Sequence, residues 1–99
     1  DLTLQRETVL IDPQMTKAQL TDFLKLLSED TYRMKGILRL KTGVHRVDCV
    51  GTDLHVAAYD GEAEPENILS LMAGEGMPLR QSLRAAIRRY DGLARRRIG

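Results

Sequence analysis

Cysteine and aromatic residues are scarce in this chain of 99 residues. The sequence has one cysteine, Cys49, and no tryptophan, and its aromatic residues are one phenylalanine and three tyrosines. A single cysteine cannot form a disulfide within the chain, which excludes the disulfide-stapled class of small secreted scaffolds. So few aromatic rings also argue against a sheet surface that stacks the bases of single-stranded RNA.

The sequence also lacks a large net charge and any long apolar run. Fifteen basic and fourteen acidic side chains leave a net charge of +1, which by itself points to no polyanionic partner. No run approaches the roughly 20 apolar residues that a membrane span needs. A hydrophobic content of 42% excludes a disordered chain. The chain begins at Asp1 without an apolar leader, so we expect a single cytoplasmic domain over residues 1–99, cut from a longer chain.

The first third of the sequence predicts a strand followed by a helix. Thr8 to Ile11 is short, rich in β-branched residues and closed by Asp12-Pro13, which favours a strand that ends in a turn. Thr16 precedes Gln19 by three residues, the spacing of a capping box. Apolar residues then recur at helical intervals, so we predict an amphipathic helix over 16–28.

Residues 31–42 alternate with period two and predict a strand with one apolar and one basic face. The apolar face comprises Tyr32, Met34, Leu38 and Leu40, and the basic face Arg33, Lys35, Arg39 and Lys41. Two further strands are predicted over 44–50 and 54–59, joined by a turn that pairs Val50 with Asp53. That register places Val47, Cys49, Leu54, Val56 and Ala58 on the core face, and Arg46, Asp48, His55 and Tyr59 on the other.

The last third contains an acidic loop, an apolar segment, a helix and a basic tail. The loop covers residues 60–66, and Ile68 to Ala73 is compatible with a strand, although Leu69 to Met72 also fits a helix. Pro78 suits the first turn of a helix with an apolar stripe, and residues 95–97 form a tail of three arginines. We therefore predict an α+β open-faced sandwich, a mainly antiparallel sheet of four to five strands with two helices on one face.

Three residues in the middle of the chain, His45, Cys49 and His55, are of types that bind zinc or cobalt. The predicted register argues against a closed site, because His45 and Cys49 point to the core face and His55 points away. A buried thiol and a solvated pair of Asp48 and His55 are the plainer interpretation. The three residues stay as metal candidates.

The segment from Tyr32 to Leu38 resembles the Arg-x-Lys-Gly-Ile/Phe-Leu strand of the carboxy-terminal domain of CobW-type proteins, which are P-loop GTPases associated with metal handling. Flanking features follow in the same order: a short strand, Asp12-Pro13, a helix ending in Leu26-Leu27, and a closing helix over 79–87. The resemblance covers roughly residues 7–90. Asp48-Cys49 departs from it, because family members often carry a glutamine and a glycine there.

The resemblance implies an accessory domain, non-catalytic on its own, of a GTP-dependent metal chaperone that serves cobalamin synthesis or metallocentre insertion. Its implied partners are an upstream GTPase domain in the same chain and a client metalloprotein or cobalt-inserting enzyme, with no membrane and no nucleic acid. GTP, Mg and a transition metal such as Zn or Co would belong to the parent protein, and no cofactor to this domain. The interaction residues that we predict are Arg33, Lys35, Gly36 and Arg39.

Two alternative functions remain open from the sequence. One is a free-standing α+β domain that binds RNA or a small ligand, and it predicts salt-sensitive RNA binding. The other is a small metal-binding module that uses His45, Cys49 and His55, and it predicts stoichiometric metal that is lost on Cys49→Ser.

Overall fold

Four consecutive strands separate the two helices in the computed structural model, which describes residues 3–98. The elements in chain order are β1 (Leu4–Ile11), α1 (Lys17–Ser28), β2 (Arg33–Leu40), β3 (Gly43–Val50), β4 (Val56–Ala58), β5 (Ile68–Gly74), α2 (Leu79–Arg89) and β6 (Ala94–Arg96). The predicted α+β class is confirmed. The described residues contain six strands, where the sequence predicts four to five.

The strands form one antiparallel sheet that does not close, in the order β4-β3-β2-β5-β1-β6. β2 and β3 form a hairpin that pairs Arg33 with Val50 at one end and Leu40 with Gly43 at the other. β5 lies between β2 and β1. The apolar segment after the acidic loop is therefore a central strand, and its helical alternative is wrong.

Both helices pack on the same side of the sheet, where the alternate residues of the strands supply the core. α1 begins with the predicted capping box, in which Thr16 and Gln19 bond each other's backbone N–H groups. The Phe23 ring meets the Tyr90 ring edge to face at 6.1 Å between centroids, which joins α1 to the end of α2. The sheet contributes Val9, Ile11, Met34, Leu38, Leu40, Val47, Cys49, Leu69, Leu71 and Ala73 to this core.

Three local predictions differ from the structure. Tyr32 is expected on the apolar face of the strand, but it precedes β2 and is 48% exposed. The strand expected over 54–59 is reduced to β4, and Ala58 is exposed at the sheet edge although Leu54 and Val56 do pack against the core. The tail of three arginines is not free, because β6 pairs with β1 through Ala94, Arg95 and Arg96.

Candidate interaction surface

The side of the sheet that faces away from the helices carries a group of basic side chains, which we call the open face. On β2 and β3 its cations are Arg33, Lys35, Arg39 and Arg46, and β1 adds Arg6 on the same face. Charged residues are common on edge strands, where they prevent edge-to-edge pairing. β2 has β3 on one side and β5 on the other. Protection of an edge therefore does not explain why three of these cations lie on β2.

One ion pair is formed on the open face. Arg33 donates to Asp48 across the β2–β3 hairpin at 3.0 Å, and both side chains are about 40% exposed. This hydrogen bond, with the positive charges of Arg33, Lys35 and Arg46, holds the pKa of Asp48 below its ordinary value, so the carboxylate stays ionised. In residues 3–98 the structure contains no ion pair of Lys35 or Arg39. Their charges are available to a partner.

A cavity of about 650 Å³ lies on the open face beneath the acidic loop. Its lining combines Lys35 and Arg46 with the apolar side chains of Ile37 and Ile68, and Tyr59 closes one side. Glu64, Pro65 and Glu66 of the loop form the opposite wall. Arginine and aromatic residues beside apolar ones are typical of the composition at protein–protein interfaces.

Gly36 has a structural reason to be glycine. The pairing of β2 with β5 ends at Lys35 and Ser70, and just beyond it the backbone of β5 approaches Gly36 closely. A Cβ atom at Gly36 would lie 2.6 Å from the carbonyl oxygen of Ile68, closer than such contacts occur in proteins. The backbone of Gly36 also lines the open-face cavity, so its direct contact with a partner stays a prediction.

Asn67 is a positioning residue that the sequence analysis did not single out. Its side-chain oxygen accepts a hydrogen bond from the backbone N–H of Arg39 at 2.7 Å. Its amide nitrogen donates to the carbonyls of Arg39, at 2.7 Å, and Ile11, at 2.9 Å. Asn67 thus joins β2 to β1 where the β2–β5 ladder has stopped, and it fixes the backbone that carries Arg39. An asparagine after an acidic loop is typical of any turn, so the sequence held no specific signal for this role.

The three metal candidates lie on opposite sides of the sheet. His45 and Cys49 are buried on the helix side, and burial raises the pKa of the Cys49 thiol, which keeps it protonated. The His45 ring contacts the carbonyl of Gly43 at 3.0 Å. His55 is exposed and contacts Asp53 at 3.2 Å rather than Asp48. Within residues 3–98 no group of three or more His, Cys, Asp or Glu side chains is placed to hold a metal ion.

Neither helix of the described residues is long and apolar enough to cross a membrane. A family model described as "Cobalamin synthesis protein cobW C-terminal domain" matches residues 6–90. No curated protein and no solved structure gave a significant match. The matched range contains β2 to β5 in full and β1 from Arg6 onward.

Proposed function

Because the chain belongs to the CobW carboxy-terminal domain family, we propose that it is a non-catalytic accessory domain of a CobW-type, GTP-dependent metal chaperone. In this proposal the domain docks onto the GTPase domain of its parent protein through the open face. Docking in one nucleotide state and release in the other would couple GTP hydrolysis to recognition of the client, a metalloprotein or a cobalt-inserting enzyme.

The proposal assigns nucleotide and metal chemistry to the rest of the parent protein. The chain contains no Gly-x-x-x-x-Gly-Lys-Ser/Thr sequence, the loop that cradles the phosphates in P-loop GTPases. Its metal-binding residue types do not converge in residues 3–98. GTP, Mg and the transferred metal, Zn or Co, therefore have no proposed ligands among the residues of this domain.

The observation that carries the docking role is the position of Lys35 and Arg39 on β2. Both side chains are exposed, and neither forms an ion pair among the described residues. Exposed cations on a strand with neighbours on both sides add nothing to the packing of the core. They would, however, form charge-assisted hydrogen bonds with the acidic groups of a partner. Ile37 lies between them in sequence and adds apolar area to the same surface.

The experiment is a calorimetric titration of the separately expressed GTPase domain of a CobW-family protein with this chain. The variant Lys35→Glu/Arg39→Glu is expected to weaken binding about tenfold or more, because two attractive contacts become repulsive. Thermal stability should change little, since both side chains are exposed. Arg33 is left intact, because it already forms an ion pair with Asp48.

Lys17→Glu is the matched control. Lys17 is exposed at the first position of α1, on the helix side of the sheet, and the substitution changes the charge by the same amount per site. Its affinity for the GTPase domain should equal that of the unmodified chain. Equal affinities for all three proteins would remove the open face from the proposal.

A further inference from the structure

A second basic surface lies on the helix side of the sheet, in the groove between α2 and β6. The groove encloses a cavity of about 200 Å³. Leu83 and Ile87 of α2 form its apolar floor; Leu83 is buried and Ile87 is partly buried against the core. The remaining lining residues are all arginines, namely Arg80, Arg84, Arg95 and Arg96.

A buried carboxylate holds two of these arginines in place. The side chain of Glu7, on β1, is only 8% exposed, and it accepts hydrogen bonds from Arg80 of α2 at 3.3 Å and from Arg96 of β6. The two guanidinium groups are themselves 67% and 44% exposed by side-chain area. Glu7 thus fixes two cations whose outer surfaces remain open to solvent, so less conformational entropy is lost when they bind a ligand.

The other two arginines have no acidic partner. Arg84 and Arg95 are exposed, and the described part of the chain contains no ion pair of either. Arg84 is on the groove side of α2, whereas Arg95 pairs with Leu10 of β1, so its side chain points away from the helices. Three guanidinium groups, of Arg80, Arg84 and Arg96, against the single Glu7 carboxylate leave a local charge of +2 around the groove. This concentration of charge is hidden in the nearly neutral total of the sequence.

The lining of the groove discriminates between classes of anionic ligand. Single-stranded nucleic acid would use the guanidinium groups for its phosphates, but no aromatic ring lines the groove to stack a base. An acidic polypeptide would use both the arginines and the apolar floor of the groove. A cavity of about 200 Å³ over Leu83 and Ile87 accommodates one apolar side chain, and carboxylates on either side of it reach the arginines.

We propose that the groove between α2 and β6 binds an acidic segment of a partner protein in which an apolar anchor residue is flanked by carboxylates. Arg96 lies outside the residues 6–90 that match the family model. The proposal is independent of the open face, which lies on the opposite side of the sheet.

The test is a titration of the ¹⁵N-labelled chain followed by two-dimensional NMR. The probe is a nine-residue peptide of glutamates with a central leucine. A second peptide carries serine in place of the leucine, and a single-stranded oligothymidylate of the same charge is the third probe. The leucine peptide is expected to shift the resonances of α2 and β6 and to bind at least about fivefold more tightly than the serine peptide.

Charge-reversal variants locate the site. Arg84→Glu is expected to weaken binding of the leucine peptide about tenfold, because it turns an attractive contact into a repulsive one. Arg88→Glu is the matched control, since Arg88 is an exposed arginine of α2 that does not line the groove. It should change the affinity less than threefold at physiological ionic strength.

Three results would overturn the proposal. The first is an equal loss of affinity in Arg84→Glu and Arg88→Glu, which would indicate general attraction to a basic helix. The second is equal binding of the leucine and serine peptides, which would leave the apolar floor without a role. The third is tighter binding of the oligothymidylate than of the leucine peptide, which would make the groove a nucleic-acid site.

Discussion

The two basic surfaces of this domain differ in how their arginines are held. On the open face, Arg33 pairs with Asp48, and both side chains are about 40% exposed. In the groove between α2 and β6, Arg80 and Arg96 pair with a Glu7 side chain that is 8% exposed. Exposed pairs are screened by water and contribute little to stability, whereas a buried carboxylate must keep its partners. The open face therefore presents solvated charge, whereas Glu7 holds two of the groove's charges, those of Arg80 and Arg96, in position.

Glu7→Gln is expected to have the largest effect on stability, because it removes the carboxylate that holds Arg80 and Arg96. The glutamine amide is uncharged, and its one oxygen is a weaker acceptor for two guanidinium groups than a carboxylate is. Its NH₂ group would also be buried next to the N–H donors of Arg80 and Arg96. We expect the free energy of unfolding to fall by about 2–3 kcal/mol. Urea unfolding followed by circular dichroism measures this change.

Asp48→Asn is the matched control on the open face. The same loss of one carboxylate charge there should leave the unfolding midpoint nearly unchanged, since Arg33 returns to water. Similar destabilisation by the two substitutions would contradict the distinction between the surfaces.

Gly36→Ala tests whether the open face depends on a close approach within the sheet. The new Cβ would lie 2.6 Å from the Ile68 carbonyl oxygen, so β2 and β5 must separate there. We expect a loss of about 1–2 kcal/mol in the same urea experiment, because a backbone atom cannot move aside as a side chain does. If Gly36→Ala is as stable as the unmodified chain, the sheet does not require this glycine. Its role would then be the close approach of a partner.

The contact between the two helices is expected to show the smallest effect, as a dependence of stability on pH. The Tyr90 hydroxyl and Arg89 both donate to Asp22. The hydrogen bond from Tyr90 is the main cause that lowers the pKa of Asp22 below its ordinary value of 3.8, and the same bond raises the pKa of Tyr90 above 10.0. The ionised carboxylate and the neutral phenol are the forms that stabilise the folded state.

The stabilisation from Asp22 is therefore complete above its ordinary pKa and is lost as the pH falls through the lowered value. The stabilisation from Tyr90 is complete below its ordinary pKa and is lost as the pH rises through the raised value. The unfolding temperature is measured as a function of pH. At both extremes of pH it should change less in Tyr90→Phe than in the unmodified chain. Parallel pH profiles of the two proteins would exclude this contact as a stabilising interaction.

The sequence was sufficient to predict the elements that depend on local pattern. Thr16 and Gln19 marked the start of α1, and the alternation around Met34 and Leu38 assigned the core face of β2. The turn that pairs Val50 with Asp53 was also predicted from neighbouring residues, and the structure confirms it. The family resemblance over roughly residues 7–90 agrees with the match over 6–90.

Features that depend on contacts between distant residues could not be predicted. β6 has no apolar alternation, and its strand character comes from pairing with β1 at the other end of the chain. Glu7 gave no signal as an acceptor for two arginines, because Arg80 and Arg96 are 73 and 89 residues away. The open face was predicted by period-two alternation, but the groove required the tertiary position of β6.

The most direct test of the docking role is hydrogen–deuterium exchange of this chain alone and in complex with the GTPase domain of a CobW-family protein. Our account predicts slower exchange of backbone amides in β2 and β3, the strands that carry Lys35, Arg39 and Arg46 of the open face, with α1 unchanged. Protection confined to the helices, or no protection at a concentration that saturates binding, would contradict the proposal that the open face is the docking surface.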